Sequence, residues 1–364
     1  MLHFNVMNLT KLLRFVREHI STIIFLGGFF TDAFLLPDIA NPITKYIGLS
    51  YLLAIACLIL LRELIVSRNT ASAFEQKLFS MLSFGVAFFS GSAISFVFVY
   101  AMRSAAFAVS WPLFVILILC MCANEFISKH NFRFTLDIAV FFIALVFYAL
   151  FNVPVLFNQV TGLSFMVALL LASIIAMAYI WILQHTSETA EYEAPRGYAL
   201  AIGVPMFIGM LYFLNVIPAV PLSLQDSGIY HNLIRTEEGA FLGKKEPQEG
   251  YLKSLRREVF HFGEGDTAVY FYSSVYAPTK LNAPLSHVWE YYDSSASKWV
   301  ESTKVSFSLA GGRDGGYRAY SQKENITEGL WRVTIKLDEK RIVGRKTFII
   351  KKGNPEKTPV EVTL

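Results

Sequence analysis

Seven stretches within the first 217 residues are apolar for long enough to cross a bilayer, at 20–36, 43–61, 78–100, 105–123, 136–156, 160–183 and 198–217. The hydrocarbon core is about 30 Å thick, so a helix needs about 20 apolar residues to span it, within a range of roughly 17 to 25. In lipid every backbone N–H and C=O must find its partner inside its own segment, which commits each stretch to helix. A chain with seven of them is expected to form a transmembrane bundle. The first stretch has no small-residue cleavage pattern and is followed by further spans, so it reads as a retained helix rather than a signal peptide.

Charge is distributed to match. Of 32 basic and 28 acidic residues, only 11 and 10 fall before residue 218. The remainder has the charge density of a soluble domain, and its positive balance is too mild to imply nucleic acid, which is not expected as a partner. Basic residues in the short connections set orientation. With the amino terminus cytoplasmic, the inner segments hold Lys11, Arg14, Arg17, Arg62, Arg68, Lys77, Lys129, Arg133 and Arg196, and the outer ones hold Lys45 and Arg103. An odd number of spans then puts the carboxyl-terminal region outside. Cys57, Cys120 and Cys122 all lie in apolar runs, where buried packing is expected, and no disulfide framework exists for the soluble part.

Past Pro218 the period changes from helical to two. Val269, Phe271 and Val275 alternate with Tyr270, Tyr272 and Tyr276; Trp289 and Tyr291 alternate with Val288 and Tyr292. Trp331, Val333, Ile335 and Leu337 share a face opposite Arg332, Thr334 and Lys336. Such runs between turn residues predict strands. The expected architecture is α+β and multidomain: a seven-helix transmembrane bundle over 1–217, a linker with a hairpin over 218–265, an antiparallel, Ig-like β-sandwich over 266–352, and a tail over 353–364.

Four segments resemble a known family: VPLSLQDSGIYH (220–231), HVWEYYD (287–293), SLAGGRDGGYRAYS (308–321) and GLWRVTI (329–335). They are similar to the bacterial domain of unknown function 2914, in which a carboxyl-terminal β-domain commonly follows a multi-helix membrane region. The resemblance implies a bacterial envelope protein with this domain order and supplies no catalytic residue.

The motifs carry little chemistry. Arg313 and Asp314 sit between glycine pairs, which suits a tight turn with an internal hydrogen bond, or a ligand contact through Arg313. Trp289, Tyr291, Trp299 and Trp331 read as sandwich core rather than a sugar-stacking platform, with Trp299 nearest the surface. His231, His261 and His287 lack metal-ligand spacing, and no GxSxG or SxxK motif is present. No cofactor is expected, and the reading leans away from an enzyme.

Asp32 is the sharpest polar feature of the membrane half, since an ionisable group in a span costs about 2.5–3.5 kcal/mol on insertion scales. Gly28, one turn earlier, leaves room for a neighbouring helix, and Gly91 with Ser95 gives the third span a small-residue face. An Asp32–Arg103 ion pair is expected, with an ion or proton relay through Asp32 as the alternative. Arg62, Glu63, Asn124 and Glu125 should form a polar cluster at inner helix ends. The expected function is a multi-pass protein of the bacterial inner membrane displaying a periplasmic binding module to an envelope protein or glycan. The alternatives are a transporter or sensor using Asp32, and a membrane enzyme acting on lipid-linked substrates, which would need carboxylates or histidines converging at one membrane face.

Overall fold

The computed structural model describes residues 19–35, 43–66, 72–103, 133–158, 160–214, 222–237, 239–247, 257–263, 265–277, 282–310, 316–338, 341–355 and 358–364. The side chains of Ala33, Tyr100 to Arg103, Arg133, Ser223, Asn282 and Ala310 lie outside the description. These residues separate into two compact units, one helical and one of strands.

Among the described residues the first unit has six helices: α1 (Ile20–Leu35), α2 (Ile43–Val66), α3 (Ala73–Arg103), α4 (Arg133–Leu156), α5 (Gly162–Leu183) and α6 (Glu188–Phe213). Five, α2 to α6, are long and apolar enough to cross a membrane, and α1 is a shorter apolar helix. The seven-helix count is not confirmed, because the stretch at 105–123 lies outside the described residues. The last helix begins ten residues before the apolar stretch at 198–217 does. Ser187 caps it by accepting the Ala190 N–H at 3.0 Å, and its first two turns are polar. Apolar periodicity marks where a helix meets lipid, whereas the cap marks where it starts.

The bundle is apolar on both faces of its helices. Ile55, Ile59, Ile94, Ile138 and Leu150 are fully buried, while Phe34, Leu163, Met206 and Trp181 are 60% exposed or more. A soluble protein would hide such residues, and a bilayer covers them. Cys57, expected to be buried, is exposed on this outer surface of α2. Helix α1 meets α3 with no side chain between: a Cβ on Gly28 would overlap the Phe88 carbonyl, and one on Gly91 would overlap the Phe25 carbonyl. Ser92 Oγ donates to the Gly28 carbonyl at 3.2 Å across this contact. Small residues let backbones approach closely enough for dispersion and hydrogen bonding to hold the pair.

Among the described residues the second unit has eleven strands: β1 (Ser223–Tyr230), β2 (Asn232–Arg235), β3 (Phe241–Lys245), β4 (Glu258–Phe262), β5 (Val269–Tyr276), β6 (Asn282–Asp293), β7 (Lys298–Ala310), β8 (Tyr317–Lys323), β9 (Gly329–Leu337), β10 (Arg341–Lys352) and β11 (Val360–Thr363). They form sheets of order β1-β5-β8, β4-β10-β9-β6-β7 and β11-β3-β2. The first two share one core, in which Leu224, Val269, Phe271 and Val275 meet Leu285, Trp289, Trp331, Val333, Ile335 and Phe348. Alternation of these residues with polar ones is what makes each strand two-faced. The described pairs among the strands of 266–352 are antiparallel, as expected, but β4, from the stretch expected to be linker, joins the sheet parallel to β10, with Phe348 opposite Glu258. Alternation reports which face is buried and is blind to strand direction, and a parallel pair needs the long connection these two strands have. The stretch 218–265 contains β1 and β4, both members of the core sheets. Tyr230 and Tyr272 of the first sheet meet Leu233 and Phe241 of the third in a smaller core, and Tyr230 lies over Gly243, where a Cβ would sit 2.6 Å from its ring.

Candidate functional site

Asp32 is only 4% exposed, three residues before the end of α1. Tyr51 of α2 donates its hydroxyl to Asp32 Oδ1, while Oδ2 is buried without a hydrogen-bond partner among the described residues. The Arg103 side chain lies outside the described residues, as do Arg313 and Asp314. Ser83, Ser90 and Ser95 of α3 also bury hydroxyls without partners among the described residues, and Ala93 and Phe96 of that helix line a narrow cleft with Gly48, Tyr51 and Tyr148.

A denser network joins α2, α4 and α6. Arg62 Nη1 lies 2.5 Å from Asp137 Oδ2, and Arg62 Nε lies 3.4 Å from Glu63 Oε1. Ser187 Oγ donates to Glu63 Oε2 at 3.0 Å, Thr135 donates to Glu193 at 2.8 Å, and Arg196 pairs with Glu193 at 2.5 Å. Arg62, Glu63, Asp137 and Glu193 are all at most 9% exposed. Sequence placed Arg62 and Glu63 at a helix end and missed Asp137 and Glu193, which come from 75 and 131 positions beyond Arg62. Each carboxylate here is engaged by a hydroxyl or a guanidinium, which makes this a fastening of three helices.

In the β-unit, His287 is fully buried between the two core sheets. Its Nε2 lies 2.8 Å from Ser273 Oγ and its Nδ1 2.9 Å from Ser321 Oγ, which also accepts from Trp289 Nε1 at 3.0 Å. Burial pushes the imidazole down to about 3, so it stays neutral. With no route to solvent this serine–histidine set is a satisfied core network. Trp289 and Trp331 are likewise buried, at 0% and 2%. Trp299, half-buried on β7, is covered by the Arg332 guanidinium at 4.2 Å, and Arg332 makes a two-pronged pair with Glu290, each prong 2.7 Å. Hydrogen bonds from Arg332 and Thr334 outweigh burial and hold the Glu290 carboxyl below its usual range.

The cluster with protonation chemistry near solvent lies at the root of the β2–β3 hairpin. His231, between β1 and β2, has Asp266 oxygens 3.0 Å from Nδ1 and Glu246 Oε1 3.2 Å from Nε2. Glu246, just after β3, also accepts the His261 backbone N–H at 2.6 Å and faces His261 Nδ1 at 2.8 Å. Asp266 accepts the Gly263 N–H at 2.9 Å, and Phe260 stacks on the His231 ring at 4.3 Å. Burial works against charge on His231, but its hydrogen bonds to Glu246 and Asp266 and their charges outweigh it and hold the imidazole above its ordinary value. Burial likewise opposes charge on Glu246, and hydrogen bonds from His231 and His261 hold it below. Among the described residues no three or more His, Cys, Asp or Glu are spaced to hold a metal ion. The set can take up and release a proton. Sequence inspection treated His231 and His261 as scattered; their convergence depends on the end of the β2–β3 hairpin meeting β4, an edge strand of a different sheet, and the loop that follows it.

Residues 282–350, covering β6 to β10, match the family described as "Protein of unknown function (DUF2914)". That match bears out the family resemblance over those residues, which include three of the four segments that carry it. No curated protein matches. Among solved structures, Pseudomonas fluorescens alkylpurine DNA glycosylase AlkC bound to DNA containing an abasic site analog aligns at 12% identity over 84% of this chain and 99% of that one. Its TM-score of 0.20 carries no argument about fold or activity.

Proposed function

We propose that this chain is an integral membrane protein of the bacterial envelope whose helices carry the β-unit on the extracytoplasmic side as a non-enzymatic binding module. The observation that carries the reading is the β-unit's own hydrophobic core, closed by Trp289, Trp331, Phe271 and Phe348, following five helices of membrane length. A unit that buries its own core does not need the bilayer to fold, so attaching it to a bundle places it at a surface. The nine-to-two bias of basic residues in the short connections supports the outward orientation. The partner is an envelope protein or glycan. Affinity capture from cross-linked detergent extract tests this: chain lacking residues 218–364 should lose the partners that full-length chain retains, and retention of all of them sinks the module reading. A cytoplasm-only reporter fused after Leu364 should be silent, and its activity would reverse the orientation.

A second reading is favoured by Asp32, one of whose buried oxygens has no partner among the described residues, a costly state in an apolar bundle. In it the bundle is a transporter or sensor and Asp32 its working charge. Reconstituted vesicles holding a pH-sensitive dye should then show proton movement that Asp32→Asn removes; equal traces from both would exclude proton movement through Asp32. The third reading, an enzyme acting on lipid-linked substrates, would draw on Glu63, Asp137 and Glu193, whose present partners tie them into helix packing.

A further inference from the structure

We propose that His231, Glu246, His261 and Asp266 form a proton-operated latch that holds the β11-β3-β2 sheet against β4. The geometry of His231 carries this inference. Both its ring nitrogens face carboxylate oxygens, Nδ1 at 3.0 Å from Asp266 and Nε2 at 3.2 Å from Glu246, and its side chain is only 9% exposed. A neutral imidazole has one N–H and one lone pair, so only the doubly protonated ring can donate to both carboxylates. Loss of the proton turns one of the two contacts from donor–acceptor into lone pair against lone pair.

The position of the cluster gives that proton a mechanical role. His231 immediately precedes β2 and Glu246 immediately follows β3, so the two residues are the two ends of the hairpin. His261 lies on β4, at the edge of the five-stranded sheet, and Asp266 in the loop after it. The charged groups facing His231 are therefore Glu246 from the end of β3 and Asp266 from the β4–β5 loop, with His261 of β4 behind Glu246. Phe260 of β4 stacks on the ring and adds no charge. The neighbouring lysines, Lys245 of β3 and Lys346 of β10, are each 3.1 Å from Glu258 of β4 and are taken up there. Apart from the latch, the hairpin is held by the Lys245–Glu258 pair to β4, by the small core around Tyr230 and Phe241 and by pairing with β11. Unlatching thus loosens the hairpin without unfolding the unit.

The sign follows from both partners. His231 is held above the ordinary imidazole value, so its contribution is complete below about 6.5 and is lost as pH rises through its folded value. Glu246 is held below the ordinary carboxyl value, so its contribution is present above about 4.5 and is lost on further acidification. The latch is closed between these limits and opens on the alkaline side.

Hydrogen exchange of the full-length protein in detergent, corrected for intrinsic rates, tests this from about pH 5.5 to about pH 8.5, a range that brackets the ordinary imidazole value. Peptides covering 232–246 and 257–266 should lose protection several-fold as pH rises, while those covering 285–291 and 331–337 stay constant. In His231→Gln the hairpin should be weakly protected at every pH. In Asp266→Asn, which removes one of the two charges favouring the imidazolium, the loss should move to lower pH. A flat wild-type profile, an unchanged slope in His231→Gln, or an unmoved transition in Asp266→Asn would each overturn the proposal.

Discussion

Arg62 and Asp137 stand 75 residues apart in the chain and 2.5 Å apart in the bundle, each almost sealed from solvent. The pair ties α2 to α4, and Glu63 extends it to Ser187 at the start of α6.

Removing one half of that pair leaves an uncompensated charge. Arg62→Met or Asp137→Leu should each destabilise the bundle by about 3–5 kcal/mol, whereas the double variant should recover much of the loss. Unfolding in mixed micelles measures both. Additive losses in the double variant would show that the two side chains act separately.

At the α1–α3 contact, Gly91 leaves no room for a side chain against the Phe25 carbonyl. Gly91→Val should force the helices apart and cost about 1–3 kcal/mol, the usual range for overpacking. Gly27→Val is the control, since a Cβ there meets nothing within 4 Å. Equal thermal stability of the two variants in detergent would contradict the packing described.

His287 predicts an acid-sensitive β-unit. Its value is depressed to about 3, so the unfolded chain binds a proton that the folded unit refuses. Its contribution is fully present above the unfolded value of about 6.5 and is lost as pH falls toward 3, at up to about 1.4 kcal/mol per unit. In His287→Gln the slope of stability against pH between these limits should shrink by about one proton. Denaturant titrations of full-length protein at several acidic pH values give that slope directly.

Arg332 combines a fork onto Glu290 with a stack on Trp299. Lysine keeps the charge and loses both geometries, so Arg332→Lys should cost about 1–2 kcal/mol and change the emission of Trp299. Wild-type unfolding followed by tryptophan fluorescence would remove Arg332 from any structural role.

Much of the organisation was legible in the residues themselves. A run such as 162–183 has to be helical in lipid, and Trp331, Val333, Ile335 and Leu337 have to share a strand face, because both patterns are local and have periods of 3.6 and 2. Gly28 and Gly91 were each legible as small-residue packing positions for the same reason, though not as parts of one contact. Tertiary structure decided what periodicity cannot encode. Strand direction is invisible to alternation, so β4 beside β10 was not foreseen. Burying an ion requires a partner without saying which one, so Asp137 for Arg62, and Glu246 with Asp266 for His231, emerged only when distant segments were brought side by side.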